Sequence, residues 1–178
     1  MKFAYADPPY IGQARKHYNH DSRCAEVDHS LLIRSLLAYD GWALSCSSPS
    51  LEEILHICRR EVGINSVRVG GWFKPFASFK PGVNPGYTWE PVVFIPGTRK
   101  RTRTEPTIRD YVLADDVDAV RANITLKRGL AGAKPEPFNL WLFDLLGMTP
   151  ADEFVDLFPG TGGATQAHEK WIAAQAVL

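Results

Sequence analysis

Neither sign of charge dominates this sequence. Twenty Lys and Arg stand against 20 Asp and Glu among 178 residues. No global field therefore draws the chain to nucleic acid, and any such contact must come from a local patch. Cysteine is scarce too. Cys24, Cys46 and Cys58 are odd in number and lack paired spacing, which argues against a disulfide framework and suits reduced thiols in a cytosol. Also missing are a signal peptide and an apolar run long enough to span a bilayer. The expectation is a cytoplasmic protein with no membrane partner, forming a single domain over residues 1–178 with a real core.

What is there begins at residue 2. Lys2-Phe3-Ala4-Tyr5-Ala6 reads as a short buried strand, stopped by Pro8 and Pro9 because neither ring can donate a hydrogen bond to a ladder. Asp7 is thereby left at the carboxyl end of a strand, where open α/β sheets place their ligand crevices. A carboxylate, rigid carbonyls before the prolines and the flat ring of Tyr10 together suit a planar amino group. Such an amine on a nucleobase is a poor nucleophile, since its lone pair is delocalised into the ring. If Asp7 and the Pro8 carbonyl each accept one of its hydrogens, the lone pair becomes available. Tyr10 can stack on the base, a contact worth about 1–3 kcal/mol.

Asp7-Pro8-Pro9-Tyr10 resembles the catalytic motif of S-adenosylmethionine-dependent amino methyltransferases, chiefly those acting on N6 of adenine in DNA, of the small kind found in bacteria and phages. A second motif agrees. Lys134-Pro135-Glu136-Pro137-Phe138 opens an apolar helix, a strand over Glu153–Phe158 follows, and Pro159-Gly160-Thr161-Gly162-Gly163 leads into a helix over Ala164–Ala176. Glycines let backbone approach a ligand closely, and the helix N-terminus behind them favours polar or anionic groups. This combination resembles the cofactor motif of the same enzymes. With the catalytic turn first and the cofactor turn last, the order looks like the circularly permuted, beta-type arrangement. By that resemblance Asp156, Phe158, Gly160, Thr161 and Gly162 bind S-adenosylmethionine, and Lys134 and Pro135 line its methionine end. Family members continue with another strand, whose acid grips the cofactor ribose, whereas this sequence stops at Leu178. The expected sheet is therefore truncated at its C-terminal edge. Glu169, or a neighbouring subunit of a homodimer, would have to supply that acid.

Between the two motifs the pattern alternates. Leu32, Ile33, Leu36 and Leu37 mark a helix from His29 that Gly41 ends, and Trp42–Ser47 reads as a strand. Ser50 and Glu53 form a capping box for a helix running to Gly63, and Ser66–Phe73 is the next strand. The alternation implies an α/β fold with a Rossmann-like, doubly wound, mainly parallel sheet. Cys46, on a strand without an activating partner, reads as core. A Pro-, Gly- and aromatic-rich loop carries Trp89-Glu90, a pair with a counterpart in the resembling enzymes, into a strand over Pro91–Ile95. Packing against the sheet edge and substrate contact stay equally open for that segment.

Residues 11–28 read as a loop and lid. Gln13, Arg15, Lys16 and His17 are candidate base or phosphate contacts. His17, His20, Cys24, Asp28 and His29 lack the tight paired spacing of zinc motifs, so no metal is expected. A basic loop or insert spans about 96–130. Within it Arg99, Lys100, Arg101 and Arg103 form the one concentrated positive run, a candidate phosphate contact. The implied activity is methyl transfer to adenine N6 in DNA. Cytosine N4 transfer, protein-amide transfer and a non-catalytic cofactor- or DNA-binding subunit are the alternatives. Asparagine usually opens the protein-amide motif, so Asp7 weighs against that one.

Overall fold

The computed structural model describes residues 1–12, 27–75, 81–114 and 134–175. β1 (Lys2–Ala6) forms as its composition predicts, with Phe3, Ala4, Tyr5 and Ala6 all buried. α1 (His29–Leu36) starts at Asp28, whose carboxylate accepts the Leu31 N–H at 3.0 Å. A cap of this kind is worth about 1 kcal/mol. β2 (Gly41–Ser45) follows. Gly41 does not end the helix as expected. It opens the strand, where a Cβ would stand 2.7 Å from the Gly97 nitrogen and 2.8 Å from the Phe3 ring. Close packing, not helix termination, requires glycine here.

A 3₁₀ turn (Ser48–Ser50) then leads into α2 (Leu51–His56), which widens into a π turn over Ile57–Glu61. The capping box expected at Ser50 and Glu53 lies three residues earlier, at Ser47 and Ser50. Ser47 N–H donates to Ser50 Oγ at 3.2 Å, and the Ser50 hydroxyl donates back to the Ser47 carbonyl at 3.1 Å. Pro49, well suited to the first turn of a helix, starts the winding before Leu51.

β3 (Arg68–Phe73), β4 (Trp89–Ile95), β5 (Tyr111–Leu113) and β6 (Glu153–Asp156) complete one sheet in the order β5-β3-β4-β2-β1-β6. β1 runs parallel to β2 and β6, and β3 parallel to β5. β4 is antiparallel to both β2 and β3. The sheet is mainly parallel, as expected, with this one strand reversed between two others. Among the described residues between β3 and β4 there is no crossover helix, and a chain that turns back without one pairs antiparallel. β5 was not foreseen. It is a three-residue edge strand inside the basic stretch.

α3 (Glu136–Leu146) and α4 (Gly163–Gln175) cover one face of the sheet, over Phe3, Tyr5, Trp72, Val92 and Phe94. α1 and α2 cover the other, over Ala4, Ala6, Trp42, Leu44 and Val93. Alternate residues of each strand feed opposite cores, and each large side chain buried this way contributes about 1.5–3 kcal/mol. The result is a doubly wound α/β/α sandwich. Cys46 and Cys58 are buried thiols. Burial pushes Cys46 up to about 12 and Cys58 to about 11, so both act as core residues rather than nucleophiles. Among the described residues no helix is long and apolar enough to cross a membrane.

Candidate active site

The carboxyl ends of β1 and β6 lie side by side, with Tyr5 in register with Asp156. Asp7 emerges from β1 there, followed by buried Pro8 and half-buried Pro9 and Tyr10. Burial favours the neutral form of the Asp7 carboxyl and raises it. The Lys134 ammonium opposes this, donating to both carboxylate oxygens at 3.1 and 2.9 Å. Lys134 stands immediately before α3, its side chain 5 % exposed, and a second carboxylate, Glu90, lies 3.2 Å from the same nitrogen.

Glu90 is the hub of the cluster. Tyr10 donates its hydroxyl to Glu90 Oε2 at 2.8 Å, and Lys74 is ion-paired to Oε1. Burial pushes Glu90 up, but Lys134, Lys74 and the Lys74 and Tyr10 hydrogen bonds outweigh it and hold the carboxyl at about 2. Lys134 feels the reverse. Burial lowers it, and Asp7 and Glu90 raise it well above the ordinary lysine range. The Trp72 ring lies beneath both ammonium groups, 4.5 Å from Lys74 Nζ and 5.7 Å from Lys134 Nζ. Two cations and two anions thus alternate along the sheet edge, each charge matched.

Lys134 was expected at the methionine end of a cofactor. Its ammonium faces Asp7, Tyr10 and Glu90, and its backbone lies against the glycine turn. A Cβ on Gly163 would stand 3.6 Å from the Lys134 carbonyl. The two motifs therefore meet. In the turn itself Gly160 and Gly162 take φ of +49° and +78°, conformations that side-chain-bearing residues rarely adopt. Gly160 and Thr161 are exposed, and α4 begins at Gly163 with its first N–H groups directed at this edge. Asp156 accepts the Phe158 N–H at 3.2 Å, and its carboxyl is raised, chiefly by burial. Phe158 itself packs against the α1–α2 core. Glu169 is exposed on α4, about 9 Å along the axis from Gly163.

The basic run sits elsewhere. β4 enters at the carboxyl edge and leaves at the amino edge, where Ile95 pairs with Trp42, so Arg99–Arg103 lie across the sheet from Asp7. Arg99 makes a two-point ion pair with Asp152, both bonds 2.9 Å, and donates to the Gly147 carbonyl at 2.7 Å. Arg101 donates to the Asp144 carbonyl at 2.6 Å. These two arginines satisfy carbonyls at the end of α3, where positive charge complements the helix dipole. Lys100 and Arg103 are exposed. The four side chains expected to act together on phosphates are thus divided between helix capping and solvent.

Gln13, Arg15, Lys16, His17, His20 and Cys24 lie outside the described residues. Asp28 caps α1, and His29 Nδ1 contacts the Val27 carbonyl at 2.9 Å. Lys74 and Trp72 were not foreseen as site residues, and Glu90 only as half of a pair. The signal was present, since an acid leading into the buried run Pro91-Val92-Val93-Phe94 needs a charged partner to be tolerated.

No protein-family model and no curated protein matches the sequence. Solved structures do match in fold. The crystal structure of the M1.HpyAVI–SAM complex superimposes with a TM-score of 0.57 at 15 % identity, over 96 % of this chain and 78 % of that one. The crystal structure of M1.HpyAVI gives 0.54 at 11 % identity, over 97 % and 76 %. The chain has the fold of these proteins.

Proposed function

We propose that this protein transfers the methyl group of S-adenosylmethionine to the exocyclic N6 amine of adenine in DNA. One observation carries the reading: Asp7, held by two hydrogen bonds from Lys134 at a proline-stiffened turn, adjoins the glycine turn at the start of α4. The fold likeness to a protein solved with SAM supports the choice of cofactor. The donor set suits it as well, since the α4 N-terminus offers N–H groups to a carboxylate and Asp156 offers an acceptor to hydroxyl or ammonium groups. The bound cofactor would supply an electrophilic methyl group on its sulfonium, whose sulfur would keep the electron pair of the broken S–CH3 bond as a neutral thioether.

The chain's own residues do the rest. An ionised carboxylate has about four lone-pair sites, so Asp7 accepts an amine hydrogen while still bound to Lys134. The Pro8 carbonyl takes the second hydrogen, and the nitrogen lone pair is freed toward the methyl group. Glu90 fixes the Tyr10 hydroxyl, which sets the ring for stacking on the base. When the nitrogen acquires its methyl group it carries a positive charge and sheds one proton. Asp7, whose carboxyl burial has raised, accepts that proton and passes it to water. Arg15 and Lys16, on the segment after Tyr10, are the proposed phosphate contacts.

Incubating the protein with labelled S-adenosylmethionine and DNA, then digesting the DNA to nucleosides, tests this directly. Labelled N6-methyladenine is expected. Labelled N4-methylcytosine would move the substrate to cytosine, and no labelled nucleoside despite bound cofactor would overturn the activity.

A further inference from the structure

Period-two alternation sends neighbouring residues of β4 to opposite faces. Glu90 turns toward Lys134 and Trp72, so Trp89 turns the other way, onto a surface the proposed chemistry does not use. There Phe73 pairs with Trp89 across β4 and with Leu113 across β5, and Tyr111 stands opposite Gly71. The rings form a continuous surface. Phe73 stacks on Trp89 with centroids 5.7 Å apart and planes 13° from parallel, and meets Tyr111 edge-on at 6.2 Å. Gly71 makes room for it, since a Cβ there would stand 2.7 Å from the Phe73 ring.

This surface is exposed. Phe73 is 39 %, Tyr111 36 % and Leu113 65 % open to solvent. Clustered exposed rings of this kind mark a binding surface. The Arg109 guanidinium lies 5.7 Å over the Tyr111 ring and donates to its hydroxyl at 3.2 Å, which places a cation at the rim. Rings flanked by a cation suit bases joined by phosphates better than they suit an aliphatic protein face. The position agrees. β4 lies two strands from β1, β3 three and β5 four, so at about 4.8 Å per strand the platform spans about 10–19 Å along the same sheet edge from Asp7.

We infer that Phe73, Trp89 and Tyr111, with Arg109 beside them, form a stacking platform for unpaired nucleotides that flank the target base in the same strand. The inference rests on the proposed methyl transfer to a nucleobase and adds a second contact to it. A base lies on the open ring faces, Arg109 takes its phosphate, and the connecting nucleotides cross the sheet edge to Asp7. Because the rings already pack against one another, little side-chain freedom is lost on binding.

Binding to single-stranded oligodeoxynucleotides, followed by Trp fluorescence, tests the platform. Tyr111→Leu and Phe73→Leu keep apolar bulk and remove an aromatic face, and their melting temperatures show whether the fold is kept. Each is expected to bind a strand extending well beyond the target about five- to a hundred-fold more weakly than wild type. On a fragment trimmed to the target nucleotide, variants and wild type should bind equally. In methyl transfer KM should rise with kcat unchanged. Equal binding of the long strand by folded variants overturns the platform alone. So does a dimer that the substitutions convert to monomer without changing DNA affinity, which would assign the rings to self-association. Wild-type protein that binds no strand overturns the platform together with the proposed activity.

Discussion

Asp7 and Lys134 divide one task between them. Burial shifts the carboxyl toward its neutral form, which would have less to offer an amine hydrogen. Lys134 counters this, and Glu90 keeps Lys134 itself charged. Asp7→Ala should therefore lower methyl transfer about a hundredfold or more, the size of effect seen when one preorganised hydrogen-bonding group is removed from an active site. The fold should survive, because Lys134 retains Glu90 as a partner. Activity within a few-fold of wild type would remove Asp7 from the chemistry. Lys134→Met makes a sharper claim. Two of the three contributions that lower the Asp7 carboxyl disappear and only the weaker Lys74 charge remains, so its value climbs and the ionised form is reached only at higher pH. The acidic limb of kcat/KM should move up by about one to three pH units. A limb that stays in place would show that Lys134 does not govern Asp7.

Among the elements, α3 shows what sequence patterning reveals and what it conceals. Its apolar run and its Lys134-Pro135 start were legible, as were β1 and the glycine turn, which the structure brings together. Where the last-turn carbonyls of α3 find their donors was not legible, since Arg99 and Arg101 reach them from more than 40 residues away. A local run of positive charge looks the same whether it faces phosphate or a helix end. For the same reason the reversal of β4 was not legible, because direction depends on what connects two strands rather than on their own residues. Glu90 was half-legible, and Lys74 became visible only once its partner had a position. Arg99→Ala should lower stability without touching DNA. The Asp152 side chain is 2 % exposed and keeps its Thr149 contacts, while Arg99 is 38 % exposed, so the loss belongs near the low end of about 1.5–3 kcal/mol for a charged hydrogen bond. In a chain of this size that is about 3–6 °C in melting temperature. Lys100→Ala and Arg103→Ala should change the melting temperature little. If Arg99→Ala instead flattened the salt dependence of DNA binding with no change in melting temperature, the capping role would be wrong.

At the scale of the whole molecule, the two edges of the sheet carry different work. The amino edge ties Met1, Arg99, Thr149 and Asp152 together. The carboxyl edge holds the charged cluster, the glycine turn and the aromatic platform, and it is where a ligand that binds only the folded state would add its free energy. S-adenosylhomocysteine, the demethylated cofactor, probes that edge without DNA. At a hundred times its Kd such a ligand stabilises by about 2.7 kcal/mol, which for this length raises the melting temperature by about 5–10 °C. Asp156→Ala should shrink the shift at the same ligand concentration, because Asp156 is the acceptor placed beside the turn. Asp7→Ala should leave it nearly whole, because in the proposed mechanism Asp7 serves the amine and not the cofactor. The two substitutions therefore separate two ways of failing. No shift in wild-type protein would remove the cofactor. A shift lost in Asp7→Ala but kept in Asp156→Ala would exchange the roles assigned to the ends of β1 and β6.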